Sequence, residues 1–208
     1  MKKLDERFTP SDVKESFQSN DDVMDSYQVA YSFDNNIIKT VKIDTNGLLA
    51  NNILNKVTPK ELDNIAFSID GATPKTHDAI RQKGSFKILI KGIKMAVAAG
   101  FNCTAAFTAH RINKKEISLM PALVDSLGMR ALSVHFVGVE GNEANVNRQL
   151  TKKEGAEEKR KTIAEARKNK IGVIFPKIFP DPEEKLHCAG TDCQNFHIFP
   201  NGRVFRCI

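Results

Sequence analysis

Ile65-Ala66-Phe67-Ser68-Ile69-Asp70-Gly71 is the stretch that decides the fold. Five residues of apolar, strand-like character run into a polar turn. A helical pattern follows over Ser85 to Ala99 and is closed by Gly100, and a second apolar strand runs from Phe101 to Thr108. Glycine at such a stop supplies the left-handed conformation that ends a helix. Strand, helix and strand in this order at a spacing of roughly 30 residues read as parallel βαβ units.

The pattern extends in both directions. Upstream, Ile37 to Asp44 reads as a buried strand ending in the turn Thr45-Asn46-Gly47, with helices over Leu48 to Val57 and from Thr58-Pro59-Lys60-Glu61. Downstream, Asn113 is placed to cap a helix that ends at Leu127-Gly128, Ala131 to Val137 is a strand, Thr151 to Lys170 a helix and Val173 to Phe175 a short strand. The first 35 residues are polar and weakly patterned, and a helix is expected to run from Asp21-Asp22 towards Phe33. A closed barrel of eight βα units takes about 250 residues, so four strong strands before residue 140 amount to about two-thirds of an open one. The fold expected is α/β: a partial, open TIM-like barrel of parallel βα units, followed by a small cysteine-bearing β-hairpin. The hairpin comes from Phe196 to Phe199 and Arg203 to Phe205 around Pro200-Asn201-Gly202. The divisions fall at 1–35 (helical segment), 36–150 (partial barrel), 151–186 (charged helix and linker) and 187–208 (cysteine-bearing region).

Composition narrows the class. A chain with 41% hydrophobic and 27% charged residues reads as a globular protein, and no apolar run approaches the ~20 residues of a membrane span. No apolar segment follows the basic N-terminus, so a reducing cytosol is expected, where cysteines serve metals rather than disulfides. The net charge of +6 is concentrated between Lys152 and Lys170, where glutamates are interspersed. Mixed charge at helical spacing without aromatic residues describes a solvated helix, not a nucleic-acid surface.

In parallel α/β folds, ligands collect at the C-terminal ends of strands. Ser68 and Asp70 alternate with Ile69 at one such end, and Asn46 stands at another. A hydroxyl and a carboxylate there suit a ribose or an ammonium group, or else Asp70-Gly71 is a βα turn with a capping carboxylate. Past the turn come Thr73-Pro74-Lys75-Thr76-His77-Asp78-Ala79-Ile80-Arg81 and Gly84-Ser85-Phe86. His77 is either a catalytic group or a helix-start residue that packs locally, and a lone histidine favours the second.

These phrases, in this order, resemble the middle and end of a radical S-adenosylmethionine (radical SAM) enzyme with a SPASM-type or twitch-type C-terminal extension. The resemblance rests on the Thr-Asn-Gly turn, the Ser-x-Asp-Gly segment, the His-Asp-x-x-Arg and Gly-Ser-Phe sequel, and Asn113 with Leu127-Gly128, from about Ile43 to Cys207. It implies that Ser68 and Asp70 lie beside bound S-adenosylmethionine, with Asn46 and Arg81 near the same pocket. It also implies a [4Fe–4S] cluster and reductive cleavage to a 5′-deoxyadenosyl radical, acting on a peptide, a protein or a cofactor precursor. The cysteine triplet C-x3-C-x2-C that holds such a cluster is not in this sequence, whose first cysteine is Cys103. The chain is therefore expected to be an incomplete member, without reductive cleavage activity by itself. The alternatives are a non-catalytic binding subunit that pairs with a complementary, cluster-bearing chain, and a zinc-stabilised α/β protein.

Cys103 lies in an apolar strand and reads as a small core residue. Cys188, Cys193 and Cys207 are of another kind. The spacing of Cys188 and Cys207 around the hairpin resembles the opening of an auxiliary iron–sulfur cluster region, and Cys193 is an additional thiolate without a family position. A zinc site completed by His187 or His197 is the second reading, and an inert reduced trio the third. A parallel sheet that began at Ile37 would leave that strand's edge uncovered, and self-association is expected unless the preceding residues shield it.

Overall fold

The structure, a computed structural model, describes residues 27–34, 37–137, 148–176, 195–198 and 204–205. Its strands are β1 (Tyr27–Asp34), β2 (Ile37–Thr45), β3 (Asn64–Ser68), β4 (Cys103–Ala109), β5 (Ala131–Phe136), β6 (Gly172–Ile174), β7 (Asn195–Ile198) and β8 (Val204–Phe205). They form one sheet in the order β6-β5-β4-β3-β2-β1-β7-β8. The five strands β2 to β6 are mutually parallel. Between them run α1 (Ala50–Leu54), α2 (Pro74–Ile80), α3 (Ser85–Ala98), a 3-10 helix (Lys114–Leu119), α4 (Met120–Ser126) and α5 (Lys152–Lys168). This is the expected open, partial barrel of parallel βα units. The hairpin is also present, with β7 and β8 antiparallel.

Strand alternation divides the sheet into two faces. Ile43, Ile65, Phe67, Phe107, Leu132 and Val134 are buried against Leu89 and Ile93 of α3, Ile117, and Met120 and Val124 of α4. Each of these large side chains contributes about 1.5–3 kcal/mol by leaving water, so the helix-covered face carries the core. The opposite face presents Lys42, Asp44, Asn64, Ala66, Ser68, Thr104, Ala106, Ser133 and His135, the intervening residues of the same strands. Small and polar residues line that face, where Ala66 is buried, His135 is exposed and the others are half-buried.

Four local expectations are corrected. Tyr27–Asp34, expected in a helix, is strand β1, antiparallel to β2 with Tyr27 opposite Thr45. The alternation of Tyr27, Val29, Tyr31 and Phe33 with polar or small residues is a period of two, which suits a strand. The edge of β2 is consequently covered, and β7 pairs with the far side of β1. Thr58-Pro59-Lys60-Glu61 forms a turn rather than a helix. Thr58 donates from both its backbone N–H and its hydroxyl to Glu61 Oε2 (2.9 and 2.8 Å), and Asp63 N–H already bonds Val41 O to start β3. The helix expected after Asn113 is a 3-10 segment followed by α4. The change comes one residue before Pro121, whose missing N–H suits a first helical turn. Asn113 makes no side-chain cap there, because its amide is used elsewhere.

Candidate functional site at the strand ends

Thr45-Asn46-Gly47 leaves β2 in two nested side-chain turns. Thr45 Oγ1 accepts Gly47 N–H (3.0 Å) and Asn46 Oδ1 accepts Leu48 N–H (3.0 Å). Gly47 has φ +78°, and a Cβ there would lie 2.7 Å from Leu89 Cδ1. Only glycine fits that conformation against α3. Helix α3 meets the turn through Gly92, where a Cβ would lie 3.1 Å from Gly47 O. The turn is thus pressed into place by the neighbouring unit. The register pairs Thr45 with Phe67, so Asn46 follows at the level of Ser68 on the adjacent strand.

At the end of β3, Ser68 and Asp70 have different surroundings. Ser68 is half-buried on the open face and hydrogen-bonds to no other side chain among the described residues. Asp70 is buried, with both carboxylate oxygens engaged. Oδ1 accepts Thr108 N–H of β4 (3.0 Å), and Oδ2 accepts Arg81 Nε–H. Asp70 N–H donates to His77 Nδ1 (3.1 Å), and Asp70 O accepts from Asn113 Nδ2 (3.0 Å). Burial holds the His77 pKa below its usual value, in keeping with an unprotonated acceptor nitrogen. His77 also meets the Phe86 ring edge-on. The local-packing reading of His77 describes this arrangement.

The residues after the turn form a scaffold around Asp70. The Asp78 carboxylate accepts Gly84 N–H (2.7 Å) and Phe86 N–H (2.8 Å) at the start of α3, and these bonds lower its pKa. Gly71 lets the strand approach α2, because a Cβ would lie 2.5 Å from His77 N. Two residues not singled out for this role in the sequence complete the clamp. Glu116 accepts Ala72 N–H (2.7 Å), Thr73 N–H (3.2 Å) and the hydroxyls of Thr73 (2.9 Å) and Thr76 (2.6 Å), so it caps α2 from the next βα unit. Asn113, fully buried, also donates to Thr108 O (2.8 Å) and accepts His110 N–H (2.8 Å). Glu116 falls three residues after Asn113, and that spacing was the available signal.

No family model matches the chain. Among curated proteins it is 28% identical over 160 residues to the PqqA peptide cyclase of Rhizobium meliloti, covering 74% of this chain and 43% of that protein. It is 30% identical over 112 residues to the mycofactocin maturase MftC of Mycobacterium ulcerans, covering 53% and 30%. The AdoMet-dependent heme synthase of Methanosarcina barkeri is 33% identical over 99 residues, covering 47% and 28%. These proteins are radical SAM enzymes. The chain is similar in sequence to radical SAM enzymes. The matched region spans less than half the length of each of these curated relatives.

The strand-end residues differ in exposure. Arg81 and Asp70 are bonded to one another, with the Arg81 side chain 36% exposed and that of Asp70 3%. Ser68 and Asn46 are half-buried, at the ends of adjacent strands. Cys103 is buried, and desolvation pushes its thiol up to about 12, which fits a core residue. Cys188, Cys193 and Cys207, with His187, lie outside the described residues. Among the described residues no group of three or more His, Cys, Asp or Glu side chains is placed to hold a metal, and no helix is long and apolar enough to cross a membrane.

Proposed function

We propose that this chain forms the S-adenosylmethionine-handling part of a radical SAM enzyme that modifies a peptide or builds a cofactor. The observation that carries the reading is the half-buried Ser68 hydroxyl, beside Asn46, on an open face floored by Ala66, Thr104 and Ala106. Short side chains on that floor suit the close approach of a nucleoside, to which the Ser68 hydroxyl and the Asn46 amide N–H offer hydrogen bonds. Asp70 and Arg81 fix the height of the β3 turn, and therefore where Ser68 stands, rather than meeting the ligand through the Asp70 carboxylate. In this family S-adenosylmethionine supplies radical initiation when bound at an iron–sulfur cluster. The described residues do not fit a catalytic cluster, since no cysteine precedes Cys103 and no ligand set is present among them. The part proposed for these residues is binding and orientation. Cys188, Cys193 and Cys207 are proposed as ligands of an auxiliary iron–sulfur cluster, for which thiolate sulfur is suited.

Equilibrium dialysis with S-adenosylhomocysteine tests the binding site. Saturable binding is expected, weakened about fivefold in Ser68→Ala for the loss of one hydrogen bond of about 1 kcal/mol. Absence of saturable binding, or equal binding by Ser68→Ala, refutes the placement. Anaerobic reconstitution followed by iron and zinc analysis tests the cysteines, and zinc without iron overturns the cluster. Formation of 5′-deoxyadenosine by this chain alone, with reductant, would show that the catalytic cluster had been wrongly excluded.

A further inference from the structure

Between Asp78 and Glu116 the chain carries no acidic residue, and helix α3 lies inside that stretch. The side of α3 that packs on the sheet is made by Leu89, Gly92, Ile93 and Ala96, all buried. At 3.6 residues per turn, Lys87, Lys91 and Lys94 fall in one narrow row on the opposite side, and all three are exposed. The row rises about 10 Å along the helix axis. Ile88 borders it and is 48% exposed.

Several other lysines of the surface are matched to acids. On α5, Lys161 lies 2.7 Å from Glu157 and 3.0 Å from Glu158, and Lys168 lies 2.9 Å from Glu165. Lys114 of the 3-10 helix lies 2.7 Å from Glu154. Lys87, Lys91 and Lys94 have no ion-pair partner among the described residues. Like charges three and four residues apart repel one another along a helix. Lys87 also stands in a first turn that holds no acid, where the helix dipole favours one. The row therefore weakens α3, and no acid among the described residues offsets it.

We propose that the row of Lys87, Lys91 and Lys94 is a docking surface for an acidic helix of a partner protein. An antiparallel helix with carboxylates at i, i+3 and i+7 repeats the spacing of the three ammonium groups in reverse order. An apolar side chain beside those carboxylates covers Ile88, and the opposed charges steer the encounter and fix its register. A nucleic acid or a bilayer fits less well. Helix α3 has no arginine, its one aromatic residue, Phe86, is half-buried, and a single exposed isoleucine is too little apolar surface to hold a helix in a membrane. The row points away from the sheet, so this surface stands or falls independently of the S-adenosylmethionine site.

The test uses the whole chain, labelled with nitrogen-15, with the backbone amide resonances followed by NMR at low ionic strength. The probe is a capped helical peptide of three Glu-Leu-Ala-Glu-Ala-Ala-Ala repeats, and its neutral counterpart has Gln for every Glu. The acidic peptide is expected to shift the α3 amides saturably and the neutral one to leave them in place, with the binding weakening as salt is added. Lys91→Ala should weaken binding about twofold to fivefold, for the loss of one exposed ion pair, and should melt no lower than the parent because a repulsion is removed. The triple variant Lys87→Glu/Lys91→Glu/Lys94→Glu should lose the acidic peptide and accept the same peptide with Lys for Glu. Equal response to both peptides, no response to either, shifts confined to other elements, or unchanged binding by the triple variant overturns the proposal. Tighter binding of a DNA duplex or of phosphatidylserine vesicles through the same lysines would assign the row to phosphate groups, and it too overturns the acidic helix.

Discussion

Replacing Asp70 by alanine should destabilise the protein by about 3 kcal/mol. Asp70 is 2% exposed and links β4 to the end of α2. Removing its carboxylate leaves Thr108 N–H without its acceptor, at about 1–3 kcal/mol. Loss of the bond to Arg81 adds about 1 kcal/mol, at the low end for a charged partner, because Arg81 is 36% exposed and solvent takes up its guanidinium. For a domain of this size the sum corresponds to a fall in Tm of about 6–12 °C. Asp70→Asn keeps an acceptor for Thr108 N–H and should cost only about 1 kcal/mol. Arg81→Ala should likewise cost about 1 kcal/mol, and the double variant Asp70→Ala/Arg81→Ala little more than Asp70→Ala alone. Urea melts of the four variants give these values directly. An Asp70→Ala protein within 0.5 kcal/mol of the parent, well inside the ~1–3 kcal/mol expected for a stranded buried donor, would refute the view that Asp70 is a structural tie.

Gly71→Ala brings a Cβ to 2.5 Å from His77 N, so α2 must shift and the Asp70–His77 bond must lengthen, at a cost of about 1–3 kcal/mol. A melt indistinguishable from the parent would show that the turn yields freely. Cys103, with its thiol pushed up to about 12, should resist alkylation at pH 8 in the native state and react on unfolding. Mass spectrometry of tryptic peptides reads this, and rapid native labelling of Cys103 would contradict its burial. Burial lowers the pKa of both His77 and His110 below 6.5 in the folded state, so the unfolded chain takes up protons first as the pH falls. Their contribution to stability is therefore complete above about pH 6.5 and is lost as the pH drops through the folded values. Urea midpoints from pH 8 to pH 5 should decline, with a shallower decline in His77→Gln.

Much of the local chemistry was legible in the sequence. Strand alternation and helix stops are short-range signals, so β2 to β6 and α3 were visible, and the helix expected from Thr151 is α5. The Thr-Asn-Gly turn was equally legible, because the positive φ of Gly47 and the Asx geometry of Asn46 are properties of a few adjacent residues. Strand β1 escaped a reading that weighed polarity above its period of two, since the partner that selects the strand, β2, lies across a turn.

What the sequence by itself determined was the series of parallel βα units, and the candidates Asn46, Ser68, Asp70 and Arg81 at their strand ends. Only the tertiary structure decided which of them are already engaged within the fold. Asp70 is taken up by Thr108 and Arg81, and Ser68 is left open, because neighbouring units supply the donors. Glu116 closes the α2 cap from 43 residues downstream of Thr73. Such pairings depend on the register between strands and on the curvature of the sheet, and hydrophobic pattern and turn chemistry along one chain do not encode them residue by residue.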